Sequence, residues 1–316
     1  MCRSSHTIQL GKAIRAVAGV TLSQLLRDPA VLLVLLGGMV LVIAAPAYAV
    51  FQFDETRKVM VDTGLSTALL AGVLVALIGP VRAMAYELED RTALSLLSKP
   101  MSRWTLVAGK YLGITAAAAT AAGPMLLASL YVVRIAENAE DEGARSLAWP
   151  VVSVLACAAA LAVLGYALLP RRRILAAWLA LMTAGAGGLM LIGPFDAWRW
   201  EVFGAGVLVL LEVAVVAAAA TAAAARFGAV GTLSCGLGLM LAGHARNLLG
   251  PERLADPMAA LLGLLPGLEA HNGIAAAAAG QAIPATYLLL AGLHALLYVM
   301  ALLLVGAALL QRREVA

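Results

Sequence analysis

One stretch of this 316-residue chain combines charge and pattern in a way that could do chemistry: YELEDRTALSLLSKPMSRWTLVAGKYLG, from Tyr86 to Gly113. Acids come first (Glu87, Glu89, Asp90), then an apolar tip with Leu94, Leu96 and Leu97, then bases (Lys99, Arg103, Lys110). The chain as a whole is only 13% charged. No catalytic motif accompanies the pattern. GKYLG at Gly109 is not a phosphate loop, because it lacks the upstream glycine and the Ser/Thr that would meet magnesium. His-Glu-x-x-His, Cys-x-x-Cys and Gly-x-Ser-x-Gly do not occur, and His6, His244, His271 and His294 are far apart in sequence. The chain therefore reads as a non-enzyme without catalytic or metal-ligating residues. Cys2, Cys157 and Cys235 read as small packing residues.

A second candidate is a lone acid. Glu212 interrupts the apolar run VFGAGVLVLLEVAVVAAAA. A carboxylate in mid-membrane costs about 2.5–3.5 kcal/mol on insertion scales, so such residues face a bundle interior and mark either a pathway or a structural hydrogen bond. Glu212 is thus a candidate substrate contact or proton-linked site. His294, in another apolar run, is a candidate partner on the same pathway.

These residues sit among elements of one kind. The sequence is 63% hydrophobic, with a mean hydropathy of +0.94, against about 45–50% apolar for soluble domains. Its apolar runs reach ~20 residues without alternating, which points to transmembrane helices rather than a β-barrel. The expected fold is an all-α, polytopic bundle in a single domain. Eight spans are expected: Pro29–Val50, Gly64–Tyr86, Tyr111–Val133, Trp149–Leu169, Ile174–Pro194, Val202–Ala225, Gly228–His244 (short) and Ala285–Leu310. With both termini cytoplasmic, the inside segments hold 15 of the 22 Lys and Arg residues. That asymmetry satisfies the positive-inside rule. It also accounts for the pI of about 9.1 without nucleic acid as a partner.

Residues 1–28 read as a cytoplasmic amphipathic segment. Leu10, Ile14, Val17, Thr21 and Leu25 recur at helical spacing, with Gln9, Lys12, Arg15 and Ser23 elsewhere, as in a helix lying in the interface. The alternative is an early extension of the first span. Ala45–Ala49 (APAYA) resembles a signal-peptide cleavage site, but nearly thirty residues precede its apolar run, which is long for such a peptide. Residues 245–284, broken by Pro251, Pro257, Pro266 and Pro284, read as short helices at or dipping into the outer membrane surface.

Residues 86–110 read as a cytoplasmic elbow. A helix continues from the second span to about Leu97, bends at Ser98-Lys99-Pro100, and restarts with Ser102 as N-cap. It then runs on into the third span, with Arg103 and Lys110 among lipid headgroups and Trp104 as an interface anchor. The alternative is a plain solvated loop, but such a loop has no need of exposed leucines, and a partner's groove would cover them.

ELEDRTALSLLSKPMSRWTLVAGKYLG resembles the cytoplasmic coupling segment of the type 2 permeases of ABC exporters: an acidic start, a Thr, a LLSKP-x-SR core and a GKYLG entry to the third span. LAGHARNLL, and LLPGLEAHN followed by a last span and QRREV, resemble further elements of that family. The resemblance implies a coupling surface made by Glu87, Glu89, Arg91, Thr92, Leu94, Leu97, Lys99, Pro100 and Arg103. It implies a separate ABC ATP-binding subunit that holds the ATP, so the permease carries no cofactor. It implies a second permease copy or homologous permease, and residence in a bacterial cytoplasmic membrane. Two departures stand out. The family commonly has six spans, so the pair at 149–194 reads as an inserted hairpin. The family's Pro-Asn-Leu-Glu is Pro266-Gly267-Leu268-Glu269 here. The alternative function is an ATP-independent secondary transporter or channel that uses Glu212.

Overall fold

The computed structural model describes residues 2–49, 56–89, 102–138, 200–246 and 265–311. Among them every regular element is helical. In chain order these are α1 (Cys2–Leu25), α2 (Pro29–Ala49), α3 (Thr56–Pro80), a π-helical turn (Val81–Ala85), α4 (Tyr86–Glu89), α5 (Arg103–Asn138), α6 (Trp200–Ala224), α7 (Ala229–Ala245), a 3-10 turn (Leu268–His271), α8 (Ile274–Ala278) and α9 (Ala285–Gln311).

Among the described residues four helical stretches are long and apolar enough to cross a membrane: Arg57–Ala85, Arg103–Leu130, Trp200–Ala224 and Ala285–Gln311. A fifth candidate joins Gly11–Leu25 to Pro29–Ala45 across a bend of 68°. Of the eight expected spans, the pair at 149–194 lies outside the described residues. The seventh is the 17-residue α7, which at 1.5 Å per residue is only about 26 Å long. The expected first span is α2, to within a residue. The second and third begin seven to eight residues earlier than expected, as α3 and α5.

The bundle has two ends. Asp28, Glu87, Ser102 and Leu310 define the near end, and Trp200, Leu268 and Ala278 the far end. A central core of Leu77, Ile114, Val213, Val216 and Leu303 joins α3, α5, α6 and α9. A far-end core of Met60, Leu65, Val133, Val209 and Ile274 adds α8, and a third joins α2, α3 and α5 through Leu35, Ala71 and Met125. These cores are rich in Ala and Gly because apolar surroundings give helices little incentive to separate from lipid, so close backbone approach has to supply the packing. Gly113 shows this best. A Cβ there would lie 2.7 Å from the Ala18 carbonyl oxygen and 2.6 Å from Thr21 Cβ, so α1 crosses α5 almost backbone to backbone.

That crossing alters the reading of α1. Thr21 and Leu25 are buried and Ile14 and Val17 half-buried, while Lys12, Arg15 and Ser23 are exposed. The stripe is the expected one, but it packs on α5 at Gly109 and Gly113 rather than being left for lipid. Outward leucines such as Leu289 (75% exposed) and Leu297 (62%) on α9 form the kind of face a span turns toward hydrocarbon.

Candidate functional site

The near end is built by three ties. Asp28 caps α2, accepting a hydrogen bond from the Ala30 amide at 2.9 Å. Its other carboxylate oxygen, Oδ2, lies 3.1 Å from Arg82 Nε, and the Arg82 guanidinium stands 5.8 Å from the Tyr86 ring centre. Gln24, Leu25, Asp28, Arg82, Ala83 and Tyr86 line a cavity of about 240 Å³ there. Arg82 belongs to the π-helical turn that follows Pro80, where the Tyr86 amide bonds back to the Val81 carbonyl. A proline withholds one helix hydrogen bond, and π turns of this kind absorb the irregularity.

The second tie joins Glu87, just beyond that turn, to Lys110 on α5. Lys110 Nζ donates to both Glu87 oxygens, at 2.7 and 2.8 Å. The Lys110 side chain is 4% exposed and that of Glu87 21%. The third tie is Arg103, whose guanidinium donates to the Leu310 carbonyl at the end of α9. Between these ties Ser102 caps α5 as expected: the Thr105 amide donates to its Oγ at 3.2 Å. Lys110 and Arg103 are thus engaged by partners within the bundle. The start of α5 is already inside the bundle, and Trp104 packs partly buried against the central core.

Of the expected coupling residues, Glu87 and Arg103 take part in these ties and Glu89 ends α4. Arg91, Thr92, Leu94, Leu97, Lys99 and Pro100 lie outside the described residues, as does the expected bend. What the ties fix is the two described ends, Glu89 and Ser102, on either side of residues 90–101.

The second site lies midway along α6. Glu212 is fully buried on α6, and neither carboxylate oxygen has a hydrogen-bond partner. Its ion-pair neighbour is His244 on α7, with Nε2 3.4 Å from Oε1. His244 Nδ1 lies 3.1 Å from the Met240 carbonyl oxygen. The hairpin explains the meeting. Glu212 lies 12 residues before the end of α6 and His244 15 residues after the start of α7, so antiparallel helices bring them to similar height.

His294, the partner expected from sequence, stands elsewhere. Its ring centre is 5.4 Å from that of His271 and 4.8 Å from that of Tyr298. His271, in the 3-10 turn, is fully buried and bonds through Nε2 to the Ala291 carbonyl at 3.2 Å. Burial pushes its imidazole below the usual histidine value. Tyr298 Oη and Arg246 Nη1 both donate to the Leu265 carbonyl, at 3.3 and 2.7 Å. Arg57 on α3 pairs with Glu201 at 2.8 Å and closes the far end. Among the described residues no three His, Cys, Asp or Glu side chains cluster as metal ligands would.

Among the described residues every regular element is helical and four helices, or five, are able to cross a membrane, an arrangement compatible with a multi-pass membrane protein. No protein-family model matches its sequence, and no curated protein matches it either.

Proposed function

We propose that this chain is the membrane-spanning permease subunit of an ABC exporter in a bacterial cytoplasmic membrane, working with a second permease copy or homologous permease. ATP is bound and hydrolysed by a separate subunit docked on residues 86–110. The chain then spans the membrane eight times with both termini cytoplasmic, and its near end is the cytoplasmic end.

The observation that favours this reading is the Glu87–Lys110 tie. An ATPase can drive transport only if its states bind different permease conformations, and that difference has to be conducted into the spans. A segment held at its base by a buried ion pair, between the π turn of α3 and the capped start of α5, moves with both helices. The cytoplasmic pattern of acids, leucines and bases supplies the docking chemistry.

The test is affinity purification of the tagged protein from native membranes in mild detergent. Stoichiometric recovery of a single ABC ATPase is expected, and its consistent absence from an otherwise intact complex would overturn the reading. Orientation is checked by thiol labelling in a cysteine-free background. Glu140→Cys should react with an impermeant reagent from outside, and Arg172→Cys should not.

The buried Glu212 favours a second reading, an ATP-independent transporter coupled through that carboxyl. Transport by the purified chain in vesicles without nucleotide would select it.

A further inference from the structure

The Glu212–His244 contact constrains where its protons are. Met240 contributes a carbonyl oxygen, which only accepts, so the 3.1 Å contact places a hydrogen on His244 Nδ1. In a neutral ring Nε2 is then a bare lone pair, and it faces Glu212 Oε1 at 3.4 Å. Neither Glu212 oxygen has a hydrogen-bond partner, so the 3.4 Å approach of Nε2 is the polar contact available to Oε1. Without a proton between them, a lone pair would confront a carboxylate that is only 1% exposed, which is repulsive. With one proton the contact is attractive, whether written as imidazolium and carboxylate or as imidazole and carboxylic acid.

The surroundings supply no substitute. The elements packed against α6 carry few titratable groups. α9 brings His294, whose ring is tilted against those of His271 and Tyr298, and the 3-10 turn brings His271 and Glu269. α5 brings Tyr111, whose hydroxyl donates to the Ala214 carbonyl at 3.4 Å, and Lys110, committed to Glu87. α3 and its π turn bring Asp62, Lys58, Arg57 on Glu201 and Arg82 on Asp28. Beyond His244 on α7 itself stands Arg246, bonded to Leu265. Among the described residues, His244 is the one group within ion-pair reach of Glu212.

Access is one-sided. The Glu212 side chain is 1% exposed and that of His244 30%. α7 meets α6 closely at Gly236, where a Cβ would approach Ala220 to 3.2 Å and Leu77 to 2.5 Å, while Leu233, Leu237 and Leu241 are exposed.

We propose that Glu212 and His244 form a proton-binding site within the bundle, holding one proton between Oε1 and Nε2 and exchanging it with water along the exposed edge of the imidazole. Uptake adds one proton and removes one negative charge from the pair. Release returns the proton to water and leaves two lone pairs opposed, so the proton count sets how firmly α7 holds to α6. This goes beyond the ATPase reading and stands whether or not an ATPase docks.

The test uses the full chain in lipid nanodiscs and dicyclohexylcarbodiimide, which couples to protonated carboxyl groups in apolar surroundings. Mass spectrometry of digests reads the adduct across buffers from about pH 5 to about pH 9. An adduct on Glu212 is expected, with a rate that falls as the buffer is made alkaline. His244→Gln should displace that profile by about one pH unit or more, since the ring nitrogen that faces Oε1 at 3.4 Å is gone. No Glu212 adduct at any pH would overturn the proposal. So would a rate that is flat across the range and unchanged in His244→Gln, the behaviour of a carboxyl that is merely packed. If His244→Gln does not fold, infrared titration of the unaltered protein decides. A carboxylic C=O band that titrates and is missing in Glu212→Gln supports the site, and its absence or constancy overturns it.

Discussion

Lys110 Nζ sits 2.7 Å from Glu87 Oε2, and with a lysine side chain only 4% exposed this is the buried ion pair at the root of segment 90–101. Such a pair contributes little over a well-packed apolar one, but removing the lysine takes away the counter-charge that both Glu87 oxygens bond to. Lys110→Met should therefore destabilise the solubilised protein by about 3 kcal/mol. The double variant Lys110→Met/Glu87→Leu should recover most of that loss. Thermal unfolding in detergent separates the cases. A double variant no more stable than the single one would mean that the pair is not the tie at this joint.

The α1–α5 crossing makes a steric claim. At Gly113 an added side chain meets the Ala18 carbonyl, which is backbone and cannot swing away. Gly113→Val should cost about 1–3 kcal/mol and release α1 to protease. Gly37, with nothing within 4 Å of an added Cβ, is the control. Gly37→Ala should be neutral or stabilising by up to about 1 kcal/mol, the ordinary helix preference. Equal losses at the two positions would show that α1 is not seated on α5.

How much of this was legible in the sequence follows from what each feature depends on. α2, α6 and α9 run to within two residues of their apolar stretches, because length and hydropathy alone set them. The Ser102 cap was legible because capping is local. The stripe on α1 was legible as a stripe, but what it packs on was not. Gly109 and Gly113 become meaningful only once α5 is placed beneath it. Lys110 was expected among headgroups because a lysine at the start of a span usually snorkels, and its burial needs Glu87, 23 residues earlier. Glu212 stood out by its cost, yet His294 packs beside His271 and Tyr298 instead. The partner, His244, could have been found from the hairpin, since the two residues are nearly equidistant from the turn between α6 and α7.

The far end should be acid-sensitive. His271 is buried, and burial holds its imidazole below the usual value of about 6.5. The unfolded chain then binds a proton that the folded one refuses. The stability this histidine contributes is present above about pH 6.5 and is lost as the pH falls through that value. Melting temperature should drop between pH 7 and pH 5 by more in the native sequence than in His271→Gln, where the titrating group is gone. Identical pH profiles for the two would show that His271 is not held neutral by burial.

The coupling proposal is decided at Leu97. If Leu94 and Leu97 fill a groove on an ATPase, they lie in water when that subunit is absent. Burying one leucine is worth roughly 1.5–3 kcal/mol, so losing it weakens docking about tenfold or more. A charge is worse, because the groove must then bury it without a partner. Leu97→Glu lies outside the apolar spans, so it should insert and accumulate as the native chain does. It should nonetheless lose the ATPase on solubilisation and abolish ATP-driven transport. Ser95→Ala, which removes only a hydroxyl, should do neither. The buried base at Glu87 and Lys110 adds a second arm. Lys110→Met should loosen the joint while leaving the leucines in place, so it should lower transport more than it lowers ATPase recovery. A Leu97→Glu protein that keeps its ATPase in stoichiometric amount and still transports would reduce segment 90–101 to a solvated loop, and the ATPase would have to dock elsewhere.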